Sequence, residues 1–164
     1  MKNRVTCLIA VFLLVCLNGV QAQTTTASLD QLKLNQSFAG TWRMESGKDT
    51  TDLWEVQQYG NPTVSTGYRM IKEKKSFQFA ENWVYSAKDD NFKGFVVWAN
   101  GGYGTWIAKF TSENKWSGNW VKNLNPEAIT GKFEVTFETP ANITIVSFNA
   151  EGVKEYEAKM IKVK

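Results

Sequence analysis

Histidine is missing from all 164 residues, and the two cysteines, Cys7 and Cys16, sit within an apolar run near the start. Ser-His and Cys-His dyads, histidine-ligated zinc and axial-histidine haem are therefore excluded. Carboxylates remain: Asp49, Asp52 and Glu55 in one stretch, and the Asp89-Asp90 pair. Two opposed carboxylates could hydrolyse a glycosidic bond. These, however, stand in polar turn sequence, where solvated surface is their ordinary fate. The glycine-rich "NGGYGTW" at residues 100–106 invites a phosphate-cradle reading. It lacks the closing Gly-Lys-Ser/Thr and no helix follows, so it reads as a hairpin turn. No catalytic residue, metal ligand or cofactor is expected.

Lys2 and Arg4, the apolar run Val5 to Leu17, and small residues at Val20 and Ala22 form a secretory signal. The run is too short for a membrane span, and no second one follows. Cleavage is expected after Ala22, with the mature chain secreted or periplasmic. A lipid anchor at Cys16 is disfavoured by Val15, where a small side chain is needed. The mature chain then has no thiol and, at roughly 140 residues, enough length for one unstapled core. Losing Lys2 and Arg4 brings the 19 basic residues to within one of the 16 acidic ones. No clustered positive footprint for nucleic acid survives.

The mature chain divides at about residue 36. Residues 23–36 form a Thr-rich tail ending in a short helical turn, capped by Ser28 or Asp30 and carrying Leu29, Leu32 and Leu34. From residue 37 to 164 the apolar period is two. "ITGKFEVTFET" (129–139) sets Ile129, Phe133, Val135 and Phe137 against Lys132, Glu134, Thr136 and Glu138. Similar segments recur at 38–45, 64–71, 76–86, 91–100, 103–110, 115–121, 142–150 and 154–164. Ser46-Gly47, Gly60-Asn61-Pro62, Asp89-Asp90-Asn91 and Glu151-Gly152 are among the turns between them. Residues 51–60 fit a strand through Trp54 and Val56 or a short helix through Leu53, Val56 and Gln57, with strand favoured. Short strands with frequent turns predict an all-β, antiparallel up-and-down barrel of eight to ten strands.

A barrel of that size either fills its interior or keeps room for one small ligand. Tyr68, Met70, Phe79, Trp83, Trp106, Phe133 and Phe137 are the candidate lining residues, with Met160 also inward. Any one of them could be simple core. Aromatics at 13% of the chain favour a lined pocket over an aliphatic filling. The runs at 92–99 and 142–148 are apolar on both faces. The helical turn would cover one from outside, and a homodimer the other.

The stretch "LDQLKLNQSFAGTWRM" (29–44) resembles the opening of the calycins, the lipocalins and fatty-acid-binding proteins. There a helical turn leads into a first strand bearing Gly-x-Trp, here Gly40 and Trp42. The resemblance implies that the indole seals the barrel floor while the glycine admits a close backbone. In lipocalins a basic side chain from the last strand crosses that tryptophan. No arginine follows Arg69, so Lys159 or Lys162 must serve. Fatty-acid-binding proteins hold a carboxylate with Arg-x-Tyr near the C-terminus. Lys154-Glu155-Tyr156 is the counterpart, with Lys154 and Tyr156 on one face. The function implied is an exported, non-enzymatic carrier of a small hydrophobic molecule, one that could have an acidic head. The alternatives are a carbohydrate-binding module using Trp98, Trp116 and Trp120, and a small barrel isomerase or cyclase using Tyr, Glu and Lys.

Overall fold

Each strand of this chain pairs antiparallel with its sequence neighbour until the wall meets itself, so the computed structural model is one closed up-and-down barrel. It describes residues 28–164; the expected signal sequence at 1–22, its expected cleavage point and the start of the tail lie outside them. Among the described residues ten strands follow a short helix. The helix α1 (Gln31–Asn35) and a single 3-10 turn (Gln36–Phe38) lead into β1 (Gly40–Gly47), β2 (Thr50–Gln58), β3 (Thr63–Ile71) and β4 (Lys74–Ser86). Then come β5 (Asn91–Trp98), β6 (Tyr103–Ser112), β7 (Lys115–Val121), β8 (Ile129–Thr139), β9 (Asn142–Asn149) and β10 (Lys154–Lys162). The ambiguous residues 51–60 are strand along nearly their whole length.

The alternation that marks β8 is kept in space, with Gly131, Phe133, Val135 and Phe137 buried. Ile129 departs from it and is exposed. Trp120 pairs with Gly131 while Val121 pairs with Ile129, so a bulge inserts Thr130 and flips the residue beyond it.

The start of β1, the end of β2 and the end of β10 lie at one end of the barrel, which is closed. Trp42 and Phe38 are fully buried there. Phe38 is the hub, with its centroid 5.0 Å from both Trp116 and Phe137 and 5.7 Å from Trp54. The rings meet mostly edge to face, the arrangement their quadrupoles favour. The Trp42 indole donates to the Phe38 carbonyl at 2.8 Å. Lys162, not Lys159, crosses it: Nζ lies 4.8 Å from the ring centroid and donates to the Ser37 carbonyl at 2.9 Å. Desolvation there pushes the Lys162 pKa down. Gly40 has φ +131°, and a Cβ at that position would overlap the Lys164 carbonyl. The close backbone that this glycine admits is that of Lys164.

The leucines of α1 do not cover an outer face, as the sequence pattern suggested. Gln31 and Asn35, four apart and therefore on one helix face, point inward while Leu32 is 37% exposed. Gln31 holds both backbone groups of Phe110, accepting from its N–H at 2.8 Å and donating to its carbonyl at 3.0 Å. Asn35 accepts from the Trp83 indole and donates to Thr63 Oγ1, each at 2.9 Å. Asp30 caps the helix by accepting from the Lys33 N–H at 3.0 Å. Two amides thus stitch α1 to β3, β4 and β6. Asn35→Ala strands the Trp83 N–H and the Thr63 hydroxyl in the core. We expect about 2 kcal/mol of lost stability, read as a lower urea midpoint with an unchanged slope.

The closing junction is short. β1 and β10 pair at Trp42–Lys162 and Arg43–Ile161, with backbone bonds between Thr41 and both Val163 and Lys164. β2 and β3, by contrast, pair from Thr50 to Gln58. Nearer the open end the β1–β10 contact is made by side chains, with the Tyr156 hydroxyl 3.9 Å from Met44 Sδ.

Candidate functional site

Above the floor the barrel encloses a cavity of about 380 Å³ that opens at the opposite end. That volume lies toward the small end of the range for small-molecule pockets. Two cross-strand pairs keep the space open. Gly67 faces Phe79 and Gly94 faces Trp106, and a Cβ on either glycine would run into the ring opposite. The rings therefore lie flat along the wall instead of filling the lumen. Around them stand Trp54, Trp116, Trp120 and Phe133. The indole N–H groups of Trp54 and Trp116 are buried with no acceptor among the described residues. Buried donors rarely stay unpaired.

One charge-bearing side chain reaches midway into this aromatic space. Glu81 of β4 lies in phase with Phe79 and Trp83, so the strand period carries it inward. Glu81 Oε1 accepts from the Trp106 indole at 2.7 Å, and Oε2 accepts from Ser65 Oγ at 3.2 Å. Ser65 is its cross-strand partner on β3. The residue as a whole is part-buried, but its carboxyl end is enclosed. Desolvation pushes its pKa from an ordinary 4.5 up to about 7, and the two hydrogen bonds offset only part of that.

The rim is polar and internally paired. Asp52 and Arg69 face each other across β2 and β3 and form a two-pronged ion pair at 2.8 and 3.0 Å. Ser46 Oγ also donates to Asp52. The Arg69 hydrogen bond holds the Asp52 carboxyl below its usual range despite partial burial. Tyr156 completes this side of the rim, its phenol pushed up by burial and by the Asp52 charge.

Of the residues singled out from sequence, Tyr68, Phe79, Trp106, Phe133, Tyr156 and Met160 line the cavity. Tyr68 does so at the rim, with Lys75 Nζ 3.6 Å above its ring. Trp83 and Phe137 lie below, in the cluster around Phe38. Met70 is part-buried near the open end of β3, outside the lining. Lys154 is exposed and outside it, its ammonium 2.9 Å from Glu157. Trp116 and Trp120 turn inward to the cavity, and Trp98 stands at the rim, 6.1 Å from Trp120. Sequence reasoning missed Glu81, although a glutamate in the apolar phase of a strand was there to be read. It also missed Trp54 and the Asp52–Arg69 pair.

Among the described residues no three His, Cys, Asp or Glu side chains are grouped to hold a metal ion. No described helix is long and apolar enough to cross a membrane. No protein-family model and no curated protein matches this chain.

Proposed function

We propose that this chain is a calycin-like binding protein that holds one small hydrophobic molecule in its barrel and performs no chemistry on it. The observation that carries this reading is the 380 Å³ cavity walled by tryptophan and phenylalanine above a sealed floor. Burying apolar ligand surface supplies the affinity, and a few fixed polar groups supply orientation. The Gly-x-Trp floor crossed by Lys162 supports placement among the calycins. The N-terminal segment supports export, with cleavage after Ala22. N-terminal sequencing of the exported protein should start at Gln23, and recovery of an intact Met1 end would refute processing.

Titration with neutral naphthalene-based fluorophores tests the container. We expect saturable one-to-one binding with quenching of tryptophan emission. Ile145 lines the cavity, so Ile145→Trp should occupy it and abolish binding while leaving the unfolding midpoint nearly unchanged. Absence of binding by every apolar probe, or undiminished binding by the plugged variant, would remove the reading.

A further inference from the structure

Resting on that reading, we propose that Glu81 is the counter-charge for the ligand. The barrel takes an amine, an apolar body whose basic nitrogen sits on the Glu81 carboxylate among the indoles.

Three observations converge. The Glu81 oxygens each accept one protein hydrogen bond, from Trp106 and from Ser65. A carboxylate has about four acceptor sites, so two remain for a bound donor. The fixed donors also hold the group in place before the ligand arrives.

No protein cation is paired with Glu81 among the described residues. Arg69 is committed to Asp52, Lys162 to the Ser37 carbonyl and the Trp42 ring, and Lys154 to Glu157. An acidic ligand would enter a space whose interior charge repels it, with the rim cation already neutralised. A protonated amine would instead supply the missing partner.

The surroundings suit a cation as well. Trp106 donates to Glu81, and Trp116 and Phe133 pack within 6 Å of the Trp106 centroid. Aromatic faces attract ammonium groups most strongly where water is excluded. An aromatic box with one carboxylate is the chemistry that recognises an alkylammonium.

Binding is then linked to pH. An empty barrel holds Glu81 about half protonated at neutral pH, and the proton leaves when the ammonium arrives. The other titratable side chains lining the cavity are Asp52, Tyr68, Arg69 and Tyr156. Asp52 is shifted down, Arg69 and Tyr156 up, so none of these three titrates between pH 6 and 8. The facing positions on β3 and β5 are Ser65 and Val96, neither titratable.

A matched ligand set tests this: 2-(1-naphthyl)ethylamine, 2-(1-naphthyl)ethanol and 1-naphthylacetic acid, titrated calorimetrically into the purified protein from pH 5 to 8. The amine stays protonated throughout, since alkylamines titrate near 10. We expect it to bind best and to tighten about tenfold from pH 6 to 8, with the alcohol nearly flat. Glu81→Gln should erase that slope and weaken the amine at least about tenfold at pH 8, sparing the alcohol. Glutamine can accept from Trp106 and donate to Ser65, so the wall keeps its bonds. Should the variant fold poorly, the wild-type pH profile alone decides between the amine and its rivals. Equal binding of all three ligands, or preference for the acid, overturns the amine assignment and leaves the container intact. Binding of none of the three overturns both.

Discussion

Trp42→Ala should cost about 4 kcal/mol of stability, the largest loss expected from any single floor residue. The side chain is fully buried, and three separate interactions end with it. The apolar volume is lost next to Phe137, whose ring lies 6.3 Å away. The Phe38 carbonyl loses its donor, and the partly desolvated Lys162 ammonium loses the ring face beneath it. The fall in melting temperature should be on the order of 10–20 °C for a domain of this size. Trp42→Phe separates the terms. It keeps a ring under Lys162 but frees the Phe38 carbonyl, so about 1–2 kcal/mol should go. Guanidinium unfolding of the three proteins measures both. A loss under about 1 kcal/mol for the alanine variant would mean that the floor is held elsewhere.

Stability should fall as pH rises from 4.5 to 7, by about 3 kcal/mol in total, and Glu81 is the cause. The sign follows from which state binds the proton. Below 4.5 the carboxyl is protonated in both the folded and the unfolded chain. Between 4.5 and about 7 the unfolded chain ionises while the folded barrel keeps its proton, so each pH unit favours unfolding. Above 7 both are ionised and the slope from this group ends. Asp52 acts in a different window. Its lowered pKa gives stability that is present above its ordinary 3.8 and lost as pH falls below it. The two effects barely overlap, so a maximum near pH 4–5 is expected. Glu81→Gln should flatten the decline and exceed the wild type at pH 8, with little difference at pH 4. Urea unfolding at unit steps of pH checks it, and a wild-type curve level from 4.5 to 7 would refute the burial argument.

The strands were legible because their apolar period survives in three dimensions. Phe133, Val135 and Phe137 needed only alternation, and Trp42 needed only its place ahead of the first turn. Bulges were not legible. Thr130 is an ordinary strand residue, and only the pairing with β7 reveals that it is the extra one. The helix misled for a related reason. Leu29 and Leu34 do pack part-buried against the core and Leu32 is exposed, but the barrel end also presents the backbone groups of Phe110 and an indole N–H, which an amide satisfies and a leucine does not. Gln31 and Asn35 are therefore the buried residues of the helix. Glu81 was hidden by expectation more than by pattern. Its spacing places it inward, but a charged side chain in an apolar phase reads as an exception until Trp106 and Ser65 are seen to meet it.

The brevity of the β1–β10 junction has a mechanical meaning. Every other strand boundary is laced along most of its length, while this one is fastened at the foot and merely buttoned by Tyr156 and Met44 above. Parting the wall along that upper slit breaks side-chain contacts and spares the backbone ladders. The upper part of that seam is thus where the wall opens at least cost in backbone bonds, and where a ligand of the proposed kind, if too long for the cavity, would project sideways.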